Sequence, residues 1–269
     1  MTPSSVIAAL CLPADAKVDQ RVPKKLLLEN GAHNGPDKRQ INDGVEELHW
    51  VATLKPDTVG VPVFRDDTRE YLEIAVLSLT LRTGAKTPRL TELIHRAIPY
   101  PVFLIQSQPG TLTLSLAHLR WSQAQSGQTV LDGPLVMAQL TAEEIHGAAE
   151  QAPTASAPSP HDASPLLAFV QSLSLTGQPR KHLHALYQGW MDRFEAHTAA
   201  RLTGRFAPPL DSAAAERRRA ALADHQRLSR EIISLRARAA KEKQINRRVD
   251  LNLAIHRLEA QLAAISRNL

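Results

Sequence analysis

The last 58 residues of the chain, Ser212 to Leu269, contain no glycine, no proline and no aromatic residue. A stretch without backbone punctuation and rich in Ala, Leu and Arg folds as helix, about 87 Å of it if unbroken at 1.5 Å per residue. Ala221, His225, Leu228, Ile232, Leu235 and Ala239 recur at intervals of three and four, as do Leu251, Ile255, Leu258, Leu262, Ile265 and Leu269. Each set is a coiled-coil seam. The two seams are out of register by one position across Lys241 to Arg248, which reads either as a stutter in one continuous helix or as the bend of a helical hairpin.

The same segment holds the excess positive charge. It carries 13 Lys or Arg against 6 Asp or Glu, whereas the preceding 211 residues carry 19 against 21, for a formal net charge of +5 overall. Arg217, Arg218, Arg219, Arg227, Arg230, Arg236, Arg238, Lys241, Lys243, Arg247 and Arg248 are the expected phosphate contacts. With no aromatic side chain to stack on bases, that composition favours duplex or backbone contact over single-strand binding. Leu228, Ile232, Leu235, Leu251, Ile255, Leu258, Leu262 and Ile265 are the expected partner-binding stripe. The competing reading is a solvated basic helix face.

The rest of the chain is that of a core-forming protein, with 43% hydrophobic and 22% charged residues overall. Its longest apolar run, Ile74 to Leu81, is broken by Ser78 and Thr80 and falls far short of the roughly 20 residues of a membrane-crossing helix. A single cysteine, Cys11, excludes an intramolecular disulfide framework and fits a reducing compartment, so the expected location is cytoplasmic. The apolar start of the chain has no Lys or Arg before it and Leu10 ahead of Cys11, which favours a short helix capped by Ser4 or Ser5 over a signal peptide.

From Arg21 to Leu140 helical and strand patterns alternate. Ile41, Val45 and Leu48 predict a helix over Lys38 to Leu48, followed by a strand over Trp50 to Leu54 and an alternating Val59, Val61, Val63. Further strands are expected in Leu72 to Leu81, Val102 to Ile105, Thr111 to Leu116 and Val130 to Leu140, the last interrupted by Gly133-Pro134, with a helix over Thr91 to Ile98. Too few crossovers exist for a doubly wound sheet, so the fold class is α+β. The N-terminal sheet is expected to be largely antiparallel with helices on one face. An all-α region follows, ending in a coiled-coil-like helix or helical hairpin. The boundaries are 1–149 for this domain, 150–165 for a Pro/Ala/Ser-rich linker, 166–211 for a helical region and 212–269 for the basic coiled-coil segment. Thr141-Ala-Glu-Glu144 is a capping box closing the first domain, and Leu183, Leu186, Trp190 and Phe194 mark the apolar stripe of a helix over Arg180 to Thr203.

Arg21-Val-Pro-Lys-Lys25, Glu47-Leu-His-Trp50, Arg96-Ala-Ile-Pro-Tyr-Pro101 and Lys241-Glu-Lys-Gln-Ile-Asn-Arg-Arg-Val-Asp-Leu-Asn252 together resemble an uncharacterised bacterial domain-of-unknown-function family. The resemblance implies a genomic setting beside helicases and DNA methyltransferases of restriction or phage-defence loci. It brings no catalytic residues with it.

That setting makes a restriction-type nuclease the first enzyme to test. Such a site needs one acid on a strand and an acidic-x-Lys pair on the next, to hold Mg²⁺ and activate water. Asp57 or Asp66 supplies a first acid and Glu73 a second, but Glu73-Ile-Ala75 lacks the lysine and the nearest base along the strand is Arg82. His182 and His184, two apart on a helix, point to different faces and share no metal. No Walker loop, dinucleotide fingerprint or Gly-x-Ser-x-Gly elbow occurs, and no cofactor is assigned. Lys24 and Lys25, beside Arg21, form a second candidate phosphate patch, set against a solvated strand end. Tyr100, between two prolines, either faces a partner or closes a rigid turn.

The expectation is a noncatalytic accessory subunit of a bacterial DNA-targeting anti-phage defence system. It docks onto a helicase or methyltransferase subunit and contacts the backbone of duplex DNA. The alternatives are a free-standing DNA-binding protein and a divergent Mg²⁺-dependent nuclease.

Overall fold

The computed structural model describes residues 2–123, 127–141, 164–267 and 269, and divides into two compact units, Met1–Phe194 and Glu195–Leu269. The expected linker and the capping box lie outside the described residues but for Thr141, Ser164 and Pro165.

Unit one is built on a six-stranded sheet. Its strands are β1 (Lys17–Arg21), β2 (Val45–Leu54), β5 (Ile74–Leu81), β6 (Val102–Gln108), β7 (Thr111–Leu116) and β10 (Val136–Thr141), in the spatial order β1-β2-β5-β6-β7-β10. Four of the five pairings are antiparallel and only β5 and β6 run parallel, so the sheet is largely antiparallel, as the scarcity of crossovers implies. Two small hairpins, β3 (Phe64–Arg65) with β4 (Glu70–Tyr71) and β8 (Leu119–Trp121) with β9 (Thr129–Leu131), lie outside it.

Helices cover both faces of the sheet, not one. Alternation along the central strands sends Ala75, Leu77, Leu79, Val102 and Leu104 to one side, where they pack with Leu27 of α2 (Lys24–Asn30), Ile41 of α3 (Gly35–Gly44) and Leu90, Leu93 and Ile94 of α5 (Thr87–Ala97). Phe103, between two of these residues, faces the other way and meets Trp190 and Phe194 edge-on at 5.0 and 5.8 Å. That second layer comprises α1 (Pro3–Ala9), α6 (Pro165–Ser172) and the first half of α7 (Leu183–Thr203). The boundary between units falls inside α7, so the stretch read as a separate helical region contributes to both.

Local differences from the sequence pattern have identifiable causes. The predicted helix through Leu48 ends at Gly44, and Val45 and Leu48 belong to β2. Val59 closes α4 (Pro56–Val59), a single turn ended by Gly60 in the left-handed conformation (φ 63°), so the alternating valines form no strand. A polar row is buried under α5: Thr91 Oγ donates to Gln106 Oε1 at 2.9 Å, and His95 Nε2 shares a 3.0 Å hydrogen bond with Ser115 Oγ.

In unit two, α8 (Ser212–Lys241) and α9 (Ile245–Arg267) form a helical hairpin. Asp211 caps α8 by accepting the Ala214 N–H at 2.7 Å. The turn has only three residues, and Glu242 Oε1 accepts the Gln244 N–H at 2.8 Å within it. Ile232, Ala239 and Ile255 form the hairpin core, flanked by Leu235, Leu251, Leu258 and Leu262. The chain itself selects the hairpin over the continuous helix, because folding back lets the two stripes bury each other.

Candidate nucleic-acid interface

The self-burial of the stripes changes what they offer. Leu228, Ile232 and Ile255 are buried, and Leu235, Leu251, Leu258, Leu262 and Ile265 are half-buried. These seam residues do not present the open partner face that their periodicity suggests. The hydrophobic energy of the seam is spent inside the chain.

The arginines divide into committed and available groups. Arg219 lies 3.6 Å from Glu195, Arg227 3.0 Å from Asp224, and Arg236 2.6 Å from Glu259 across the hairpin. Arg230 Nε donates to the Gln226 carbonyl at 3.2 Å, and Arg218 is half-buried. Arg217, Arg238, Lys241, Lys243, Arg247 and Arg248 are exposed and carry no ion pair among the described residues.

Five of those six gather at the hairpin tip. Arg238 and Lys241 sit in the last turn of α8, where cations suit the helix dipole. Arg247 and Arg248 sit in the opening turn of α9, which holds no acid. Cations there oppose the dipole, at a cost of about 0.3–1 kcal/mol each. Lys243 bridges the two groups, and only Glu242 and Asp250 lie near in sequence. A tip that gathers cations against local helix energetics is suited to an external anion.

The second patch is otherwise engaged. Lys24 Nζ reaches the Asn42 carbonyl at 3.5 Å, and Arg82 Nη1 lies 3.2 and 3.4 Å from the Asn42 and Asp43 carbonyls. Both cations cap the C-terminus of α3. Burial, then the charges of Arg82 and Arg21, hold the Lys24 ammonium below its ordinary pKa. Lys25 pairs with Glu29 at 3.6 Å on the open surface.

The nuclease residues do not converge. Glu73 meets Lys55 at 3.4 Å, because the register of β2 on β5 sets Leu54 opposite Ile74. Asp66 Oδ1 accepts the Thr68 N–H, the Thr68 hydroxyl and the Arg69 N–H at 2.7, 2.9 and 2.6 Å, closing its own turn and holding its carboxyl below the usual range. Among the described residues no group of three His, Cys, Asp or Glu is placed to hold a metal.

A ring cluster in unit one escapes the sequence pattern. His182 precedes α7, and its Nδ1 accepts the Ala185 N–H at 3.0 Å, so the helical argument for opposite faces does not apply. The His182 and His184 rings both lie against Phe64, at 4.6 and 4.8 Å. His184 also stacks on His118 at 4.9 Å and meets Tyr71 edge-on at 4.9 Å. Burial, followed by the charges of His118 and Arg69, pulls His184 down to about 4, and burial raises the Tyr71 phenol well above its ordinary value. The Tyr71 hydroxyl and His118 Nδ1 share a hydrogen bond, and His118 Nε2 donates to Gln188 Oε1 at 2.8 Å. Gln188 Nε2 then donates to Asp192 Oδ1 at 2.8 Å. The relay joins β4 to α7 through the His118 ring.

A two-sided mixed sheet followed by a basic-tipped helical hairpin defines an α+β protein. The family described as Domain of unknown function (DUF4391) matches residues 10–262, and the chain belongs to it. No curated protein and no solved structure matches.

Proposed function

We propose that the chain is a noncatalytic accessory subunit of a bacterial DNA-targeting defence assembly, built around a helicase or methyltransferase, and that its hairpin tip contacts the DNA backbone. The observation that carries the DNA contact is the cluster Arg238, Lys241, Lys243, Arg247 and Arg248, exposed and free of ion pairs among the described residues. Neutralising five phosphates gives a log–log salt slope of about −4 to −5 on duplex DNA, from counterion release. The partner class rests on the sequence resemblance alone.

The test is duplex binding by the full chain at several salt concentrations, with Lys243→Glu/Arg247→Glu/Arg248→Glu beside it. The expected result is loss of the shift and a shallower slope in the triple variant. Equal binding by both proteins, or none by either at low salt, overturns the DNA contact. Affinity purification from the native cell tests the subunit role. A helicase or methyltransferase should co-elute, and a solitary chain that still shifts DNA would instead mark a free-standing DNA-binding protein.

A further inference from the structure

The outer face of α9 carries apolar side chains that the hairpin does not use, interrupted by His256. Ile245, Val249, Leu253, His256, Ala260 and Ala264 follow one another by steps of four or three, opposite the face that meets α8. Ile245, Val249 and Leu253 are 68, 50 and 51% exposed. A helix apolar on two opposed faces is built to be covered twice.

The order of sizes along this face says what fits it. The large side chains, Ile245 to His256, come first and the two alanines last. An antiparallel helix of the same sequence, related by a two-fold axis near Ala254, sets Ile245 against Ala264 of the second copy, Val249 against Ala260 and Leu253 against His256. Large meets small at both ends of the contact, as close packing favours, and at its centre Leu253 lies against the His256 imidazole, which Glu259 holds at 3.2 Å. The charges agree. Asp250 and Arg257 lie on one edge of the face, both are exposed, and neither has an ion pair among the described residues. The antiparallel arrangement brings each Asp250 to the Arg257 of the other copy, twice. A parallel arrangement would stack large on large, leave Asp250 and Arg257 of the two copies on opposite sides of the contact and bring the two cationic tips together. In the antiparallel one the tips stand about 30 Å apart at 1.5 Å per residue, well beyond a Debye length of about 8 Å.

We infer that the outer face of α9 is a self-association surface through which a second copy of this chain packs antiparallel. A single helix face buries less than the ~1,200 Å² of stable interfaces, so the dimer is reversible and in the micromolar range. This is independent of the proposed DNA contact, because the pairing residues are not those of the tip cluster.

The experiment is sedimentation velocity of the full chain over about 1 to 200 µM, a range that brackets a micromolar dissociation constant. Leu253→Glu, Asp250→Arg, Arg257→Asp and the double reversal Asp250→Arg/Arg257→Asp are run beside it. Every substituted side chain is exposed, and circular dichroism checks that helix content is unchanged. The expected result is a concentration-dependent dimer, weakened at least about tenfold by Leu253→Glu or by either single reversal, and recovered by the double reversal. A monomer throughout the range, a dimer indifferent to Leu253→Glu, or a double reversal no better than the singles would overturn it.

Discussion

The hydroxyl of Tyr187 donates to the carbonyl of Val102 at 2.7 Å, tying α7 to the start of β6. The same oxygen accepts the Ala117 N–H at 2.9 Å just past the end of β7, so one buried phenol serves two neighbouring strands. Removing it leaves both backbone groups dry and unpaired. Tyr187→Phe should cost about 1–3 kcal/mol, read as a lower urea midpoint with unchanged slope.

Gly189 lies within α7, where alanine would ordinarily raise helix propensity. A β-carbon there would come within 2.4 Å of the Pro179 ring. Gly189→Ala should therefore destabilise unit one by about 1–3 kcal/mol despite its better propensity, as overpacking does. A raised melting temperature would contradict this.

Acid should act through His95 before it acts through the carboxylates. Burial holds the His95 imidazole down at about 3, below its ordinary value of 6.5. Between those values the unfolded chain binds the proton and the folded chain does not. The stability is thus complete above pH 6.5 and is lost as pH falls from there toward 3. The slope from one such histidine approaches about 1.4 kcal/mol per pH unit. Urea unfolding at pH 7, 6 and 5 should show it, and His95→Gln should flatten the profile.

Neighbouring isoleucines should behave oppositely. Ile232 is 4% exposed in the hairpin core, and Ile233 is 65% exposed. Ile232→Ala should cost unit two about 2–4 kcal/mol, with faster hydrogen exchange in both helices. Ile233→Ala should stay within about 0.5 kcal/mol of the parent, as surface changes usually do.

The strands β5, β6 and β7 are readable in the sequence as apolar, β-branched runs, whereas β8 (Leu119–Trp121) gives no such run and the stretch read as Val130 to Leu140 divides at Gly133-Pro134 between β9 and β10, which lie in different sheets. Val45 and Leu48 are not readable as strand, for a physical reason. The register of β2 on β5 shifts between Val45 and Glu47, and such an irregularity lets residues three apart both face inward. That spacing also fits a helix. The hairpin turn is hidden because ordinary residues make it: Glu242 turns the chain with extended dihedrals (φ −76°, ψ 124°) and without glycine or proline. The ring cluster draws on Phe64, Tyr71, His118 and His184, which the tertiary fold alone brings together. Local periodicity carries no trace of it. The segregated charge was legible as composition, but which cations remain available depends on Glu195, Asp224 and Glu259, whose positions only the folded chain supplies.

The mutual burial of α8 and α9 makes each rod the other's chaperone. A chain cut at Glu242 would not be a tidier version of the protein. It would leave Ile232 and Leu235 bare beside Leu228, a greasy ribbon prone to clump with whatever it met. Removing both rods together avoids that ribbon but takes Arg219 from Glu195 in the second half of α7, so neither cut leaves unit two intact.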